Sequence, residues 1–271
     1  MVVFPNAKIN LGLYVVSKRD DGYHNINTIF LPVRNLSDVL EVIPLQDGLQ
    51  TDKLSVSGLI IPGISEENLC IKAIRLMREY VKIPPLNIFL HKNIPFGAGL
   101  GGGSSDAAFM IKLLNEMFEI KLDDDKLEEI AANIGADCPF FIKNQAVYSE
   151  GTGNIFSSIE DMPNLWLELV VPPIHISTEF AYRNITPCKA ETNLKTAVQL
   201  PVNEWSKHIR NDFEIPVFKK FPELKEIKEK LYKNGAIYAS MSGSGASIYG
   251  LFIDKPEITW DKTFFVYSSQ Y

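Results

Sequence analysis

Pro95-Phe-Gly-Ala-Gly-Leu-Gly-Gly-Gly-Ser-Ser-Asp106 is the stretch on which the reading of this chain turns. Five of the seven residues from Gly97 to Gly103 are glycine, and a helical pattern follows at once, with Ala107, Met110, Ile111, Leu114 and Met117 on one side. Glycine lets the backbone approach a ligand closely, with its N–H groups turned inward. A helix N-terminus adds about half a positive charge, so the junction suits an anion such as phosphate. Ser104 and Ser105 are expected to cap the helix and to donate to phosphate oxygens. A plain connecting turn would not need five glycines, which cost backbone entropy. The Walker pattern is absent, since no lysine follows the glycines. The dinucleotide fingerprint wants an early strand and does not fit so late in the chain.

Outward from this loop, the chain mixes strands and helices. Short β-type runs are predicted at 9–16, 28–33 and 39–43, and a helix over 66–81 with Leu69, Ala73, Leu76 and Tyr80 on one stripe. Pro84-Pro85 stops that helix, and 86–90 reads as the strand leading into the loop. Asp123–Asp125 would cap a helix over 126–134. The texture changes around 154–164, with a Gly-Thr-Gly turn, a polar stretch and Pro163. A strongly apolar strand at 165–171 opens the second half. There a helix over 222–233 is halted by Asn234-Gly235, and β-type segments at 236–241 and 247–253 flank a glycine-serine loop. Without a regular βαβα rhythm the class is α+β, in two domains at 1–160 and 161–271.

The 271 residues suffice for one large domain or two modest ones. With 46% hydrophobic and 22% charged residues, the chain is not a mainly disordered one. Its net charge of −6 argues against a protein that coats nucleic acid or an anionic membrane. A phosphorylated small molecule remains compatible with a locally positive pocket. Cys70, Cys138 and Cys188 have no metal-type spacing and suit a reducing compartment. The first residues read as neither a signal nor a transit peptide, and no apolar run approaches the ~18 residues that span a bilayer. A cytoplasmic protein is the expectation.

Three further groups carry chemistry. Lys8 and Asn10 alternate with Ile9 and Leu11, so both fall on one strand face, which Gly12 is expected to keep open. Asp137 sits among apolar neighbours, where a carboxylate needs a partner. Tyr23-His24 suits a pyrimidine: the ring stacks on the base and the imidazole bonds its edge.

Residues 95–106 resemble the central signature of the GHMP small-molecule kinases. Pro5-Asn-Ala-Lys-Ile-Asn-Leu-Gly-Leu13 resembles the family's first motif, and Met241-Ser-Gly-Ser-Gly-Ala-Ser247 its third, in the expected order. Asp21-Gly-Tyr-His24, Glu67-Asn-Leu69, Gly135-Ala-Asp-Cys-Pro-Phe-Phe141 and Asn211-Asp-Phe-Glu214 resemble a branch that phosphorylates an alcohol on a cytidylyl substrate. The resemblance implies a two-domain fold with its active site in the interdomain cleft and ATP as donor; the reaction implies Mg²⁺, expected to ride on the triphosphate because the sequence shows no dedicated cage of carboxylates.

It also implies roles. Asp137 is the base for the substrate hydroxyl, and Lys8 orients it and stabilises the forming alkoxide. Asn10, Tyr23, His24, Thr178 and Tyr182 hold the substrate, with Tyr182 as the second aromatic of a cytosine sandwich and His175 nearby. ATP falls to Asn68, Lys92, Pro95, Gly97, Gly99, Leu100, Gly101, Gly102, Gly103, Ser104 and Ser105. Ser242, Gly243, Ser244 and Gly245 pack on the glycine loop and line the acceptor side. Asp106 is read as a helix-start residue or an indirect metal contact. The partners implied are small molecules, with no nucleic acid and no membrane. Composition gives no subunit count, and a monomer or weak homodimer is expected. The alternatives are a superfamily kinase of homoserine, mevalonate or a sugar, which would give no reason for Tyr23-His24 and Tyr182, a decarboxylating relative, and a non-catalytic nucleotide binder, which would not retain Lys8 and Asp137.

Overall fold

Alternating apolar residues build the strands as predicted, although several strands run longer than their apolar stretches. The computed structural model describes residues 1–45, 51–60, 67–159, 162–188 and 192–270. Among these, the strands are β1 Val2–Val3, β2 Asn6–Lys18, β3 His24–Ser37, β4 Val39–Pro44, β5 Lys53–Gly58, β6 Leu86–Lys92, β7 Val147–Glu150, β8 Ile155–Ser158, β9 Trp166–Val171, β10 Tyr238–Met241, β11 Ile248–Phe252 and β12 Phe265–Gln270. The α-helices are α1 Leu69–Met77, α2 Gly102–Met117, α3 Asp124–Ala132, α4 Phe140–Lys143, α5 Thr178–Arg183, α6 Leu194–Ala197, α7 Trp205–His208, α8 Glu214–Lys220 and α9 Pro222–Lys233. The α+β class holds. Two compact units are present: one of Met1–Ala7, Val33–Phe96 and Gly101–Gln145, the other of Lys8–Pro32, Gly97–Leu100 and Ala146–Tyr271. The domain cut expected between 160 and 161 falls on residues outside those described. No helix of the described residues is long and apolar enough to cross a membrane.

The first unit carries the sheet β1-β4-β6-β5, with β5 parallel to β6 and the other pairs antiparallel. Leu40 and Val42 of β4 face Leu90 and Ile88 of β6, and all four are buried. Helices α1 and α2 bury Cys70, Ala73, Ile74 and Met77 against each other's side of the core with Ala107, Met110, Ile111 and Leu114. Helix α1 is shorter than the predicted 66–81, and residue 66 lies outside the described residues. Asn68 starts the helix by accepting from the Cys70 N–H at 2.9 Å. After Met77 the chain turns away, because the Arg78 guanidinium is spent on Asp52 (2.7 Å to each oxygen) and on the carbonyls of Ile83 and Pro84. Tyr80, expected on the buried stripe, is therefore 42% exposed. Asp123 caps α3 through the Lys126 N–H at 2.9 Å, with Asp124 and Asp125 in the first turn where the helix dipole favours acids.

The second unit holds the antiparallel sheet β10-β11-β9-β12 and most of β2-β3-β7-β8. Helix α9 spans the predicted 222–233 and lays Leu224, Ile227 and Leu231 on a cluster that includes Val170, Met241, Ile248 and Phe252. The expectation for Gly12 is corrected. It has φ +69°, and a Cβ there would press to 2.7 Å on Leu194 and 2.8 Å on Ile209. The glycine thus admits close packing of a helix and a loop rather than leaving the face open.

Candidate active site

In the second unit, β2 supplies the first cluster. Lys8 is 3% exposed, an extreme for a lysine, and its Nζ donates to Asn10 Oδ1 at 2.6 Å while lying 5.0 Å from the Phe30 ring centre. Asn10 Nδ2 donates to Thr28 Oγ1 at 2.9 Å, and Thr28 donates on to the Gly12 carbonyl at 2.6 Å. Lys8 and Asn10 do share a face, as the alternation predicts. Thr28 was not singled out by the sequence, since a threonine in an apolar strand gives no signal of its own.

The glycine loop meets β2 and the late loop here. Lys8 N–H donates to the Leu100 carbonyl at 2.9 Å. Ser242 Oγ accepts from the Asn10 N–H at 3.1 Å and donates to the Gly99 carbonyl at 2.9 Å. Ser247 Oγ and N–H both donate to the Ala98 carbonyl, at 2.6 and 3.2 Å. Gly99, at φ +77°, lies so close to the Ser242 carbonyl that a Cβ would collide with it. The late loop thus packs on residues 97–100. The Ser242 side chain, however, is fully buried and committed to internal bonds rather than free to line a pocket.

The aromatic residues gather in the same unit. The His24 and Tyr182 rings stack at 4.8 Å and 23°, and Phe213 meets Tyr182 edge-on at 4.8 Å and 81°. Burial, then the Lys18 charge, holds the His24 imidazole below its usual pKa, so it is neutral at pH 7. Tyr23 is 67% exposed, its N–H held by Asp21 Oδ1 at 3.0 Å. Thr178 opens α5 with its Oγ1 3.3 Å from Ser244 Oγ, and His175 stands beside Gly97. Tyr182 and His24 are thus brought together with each other, and Thr178 with the late loop.

The first unit presents the head of α2. Its N-cap is Gly101, at φ +71°, with no capping side chain. Ser104 and Ser105 therefore lie within the first turns and do not cap, because a left-handed glycine already turns the chain into the helix. Ser105 Oγ is buried without a hydrogen-bond partner. Lys92, expected to border ATP, is a buried ion: it is 3% exposed, pairs with Asp38, and reaches Asp106 at 2.6 Å. Asp106 sits inside α2 and not at its start. Burial opposes the charge on Lys92, but Asp106 and Asp38 outweigh it and hold its pKa above the ordinary value. Burial pushes the Asp106 carboxyl up to about 7, with Lys92 pulling the other way and Asp38 adding to the rise. Asp38 also accepts the N–H groups of Asn93 (2.6 Å) and Ile94 (2.9 Å), fixing the approach to Pro95. An aspartate between two strands carries no signal for this role. Asp137 lies half-buried in the turn after α3, next to Cys138, whose thiol meets Ser104 of α2 and is pushed up to about 12 by burial.

Within the second unit, a buried lysine on a strand lies beside two interlocked glycine loops, a setting that suits the positioning and positive charge phosphoryl transfer needs. The family descriptions "GHMP kinases N terminal domain" and "GHMP kinases C terminal" match residues 68–145 and 197–259. The chain belongs to the GHMP kinases.

Its relatives narrow the class. A protein of Bacteroides fragilis is 51% identical over 96% of this chain and 94% of its own length. One of Bacteroides thetaiotaomicron is 47% identical over the whole of both chains. Both are 4-diphosphocytidyl-2-C-methyl-D-erythritol kinases, and it is with these that the chain groups. A crystal structure of 4-(cytidine 5'-diphospho)-2C-methyl-D-erythritol kinase superposes with a TM-score of 0.77 at 31% identity, covering 93% of this chain and 90% of that one. A homoserine kinase from Cytophaga hutchinsonii, at 17% identity and a TM-score of 0.67, shares the fold, covering 97% of this chain and 94% of its own.

Proposed function

We propose that the chain transfers the γ-phosphoryl group of ATP to the 2-hydroxyl of 4-diphosphocytidyl-2-C-methyl-D-erythritol, giving the 2-phosphate and ADP, in the non-mevalonate route to isoprenoids. The observation that carries this is the full-length match to kinases of that name, at about half identity.

Asp137 takes the hydroxyl proton as the O–P bond forms and the bond to the leaving ADP oxygen breaks. Lys8 supplies positive charge at the forming alkoxide, and its bond to Asn10 Oδ1 holds the ammonium in one orientation. His24, which stacks on Tyr182 here, bonds the edge of cytosine, while Tyr23 and Tyr182 supply the aromatic faces that stack on the base. Thr178 completes the substrate side. On the ATP side, Asn68, Lys92, Pro95 and the loop from Gly97 to Ser105 surround the nucleotide, with backbone N–H groups at the α2 head toward the phosphates. Ser242–Gly245 sets the acceptor-side wall.

A Mg²⁺ ion bound with the triphosphate would supply charge neutralisation for the transfer. Ser105 Oγ and Asp106 Oδ1, buried in the first turns of α2 without hydrogen-bond partners, are the oxygens that would hold it if the ion reached the chain. Lys8 and Asp137 act from a protein of the cytoplasm, working as a monomer or weak homodimer with domains at 1–160 and 161–271.

The test is a reaction with ATP, Mg²⁺ and the cytidylyl substrate, with ADP and product followed together. Equimolar ADP and a product bearing a phosphomonoester at the 2-position are expected. ADP release without that product would refute the reading.

A further inference from the structure

The four residues Asn211-Asp-Phe-Glu214 join β2, the late glycine loop and the aromatic pair: Asn211 and Glu214 brace the loop, Asp212 braces β2 and Phe213 meets Tyr182. Asn211 is 2% exposed. Its amide group donates to the Met241 and Gly243 carbonyls, both at 2.8 Å, while its Oδ1 accepts from the Phe213 N–H at 3.0 Å. Two acceptors on one side fix which end of the amide is nitrogen. The two carbonyls flank Ser242, the residue that ties the Asn10 N–H to the Gly99 carbonyl.

Glu214 holds the same loop from behind. Its Oε1 accepts from the Met241 N–H at 2.9 Å and from Ser240 Oγ at 3.1 Å, and Lys228 anchors Oε2 at 2.6 Å. Met241 is thus pinned through its N–H by Glu214 and through its carbonyl by Asn211. Asp212 fixes β2 just past Asn10. Its N–H donates to the Leu13 carbonyl at 2.8 Å, and its Oδ2 accepts from the Val15 N–H at 2.9 Å. Phe213, 1% exposed, backs Tyr182.

We propose that Asn211–Glu214 is a positioning element for the reaction: Asn211 and Glu214 set the late loop, and through Ser242 the spacing of Asn10 and Gly99, while Phe213 sets the tilt of Tyr182. The inference rests on the proposed kinase reaction. It separates two effects that a general loss of stability would mix. Loosening the loop displaces groups used in the transition state and lowers kcat. Loosening Tyr182 weakens the hold on cytosine and raises KM for the cytidylyl substrate alone.

The test is a graded series at Asn211 together with Phe213→Leu, with rates expressed per folded molecule. Asn211→Ser keeps one donor and Asn211→Ala keeps none. We expect kcat to fall about 3- to 10-fold and about 10- to 100-fold respectively, with the KM for ATP within about 2-fold of the parent. Phe213→Leu should raise the KM for the cytidylyl substrate about 5-fold or more with kcat nearly unchanged. Amide exchange at Asn10 gives a readout independent of turnover, since its N–H is held by Ser242 Oγ. It should quicken at least about 10-fold in Asn211→Ala while core amides of β9 keep their rates. Parental kcat, KM and Asn10 exchange in folded variants would overturn the proposal. If the parent itself fails to turn over the cytidylyl substrate, the functional reading falls, and the Asn10 exchange rate still decides the brace. Should Asn211→Ala not fold, Asn211→Ser and Phe213→Leu carry the same contrast.

Discussion

Gly99→Ala and Gly235→Ala place the same methyl group at two positions of the same backbone type, with very different surroundings. Gly235 follows α9 at φ +94°, and a Cβ there meets nothing within 4 Å. The substitution costs only the left-handed conformation, about 1–2 kcal/mol. Gly99 has φ +77° and pays the same, but its Cβ also lands on the Ser242 carbonyl, so a piece of backbone must move. The bonds that depend on that approach are Ser242 Oγ to the Gly99 carbonyl (2.9 Å) and the two from Ser247 to the Ala98 carbonyl. At about 1 kcal/mol net each, the loss of these three bonds brings the total for Gly99→Ala to about 4–5 kcal/mol. Urea denaturation reads the two costs, and turnover per folded molecule reads the function. Gly235→Ala should lose stability and keep kcat. Gly99→Ala should lose more stability and about 100-fold in kcat, since displacement of the loop misplaces reacting groups. Equal stability losses with parental kcat in both would refute the claim that the two glycine loops are locked together by close approach.

Other expectations follow from single groups. Asp137→Asn should lower kcat by about 100-fold or more while ATP affinity, measured by calorimetry, stays within about 2-fold; unchanged turnover would remove Asp137 as the base. His24→Ala should raise the KM for the cytidylyl substrate about 10-fold and leave that for ATP alone, and an equal rise in both would place the wrong nucleotide at the ring pair. Asp106 gives a pH signature. Its carboxyl titrates near 7 when folded against about 3.8 when unfolded, so the native state holds the extra proton between those values. The stability of the parent relative to Asp106→Asn should therefore fall as pH rises from about 4 to about 7, by at most about 1.4 kcal/mol per unit, and level off above. A flat difference across urea titrations at pH 5, 6, 7 and 8 would show that Asp106 is ionised throughout.

What the sequence makes legible is what depends on local pattern. Helix α9 carries apolar residues at helical spacing and ends at Asn234-Gly235, so its limits are readable. The three glycine-bearing motifs are readable for the same reason, since positive φ and close approach demand glycine. The strands β7, β8 and β12 are short and half polar, and they exist because neighbouring strands pair with them. No local pattern announces such pairing. The head of α2 is misread by three or four residues, Ser104 or Ser105 for Gly101, because Gly101 turns the chain without a capping side chain. At the site, Lys8 and Asn10 follow from alternation. The partners that hold functional groups are invisible in one dimension: Asp38 lies 54 residues from Lys92, and Asn211 lies 30 from Met241. Their residue types are ordinary, and only the fold gives them roles.

The central claim is that this kinase acts on an alcohol through recognition of a linked cytidine. The most direct measurement is kcat/KM for 4-diphosphocytidyl-2-C-methyl-D-erythritol beside the same polyol phosphate lacking the cytidylyl group, homoserine and mevalonate, all with ATP and Mg²⁺. The account predicts turnover of the cytidylyl substrate at least about 1000-fold above the other three. Comparable turnover of the polyol phosphate, or preference for homoserine or mevalonate, would contradict it.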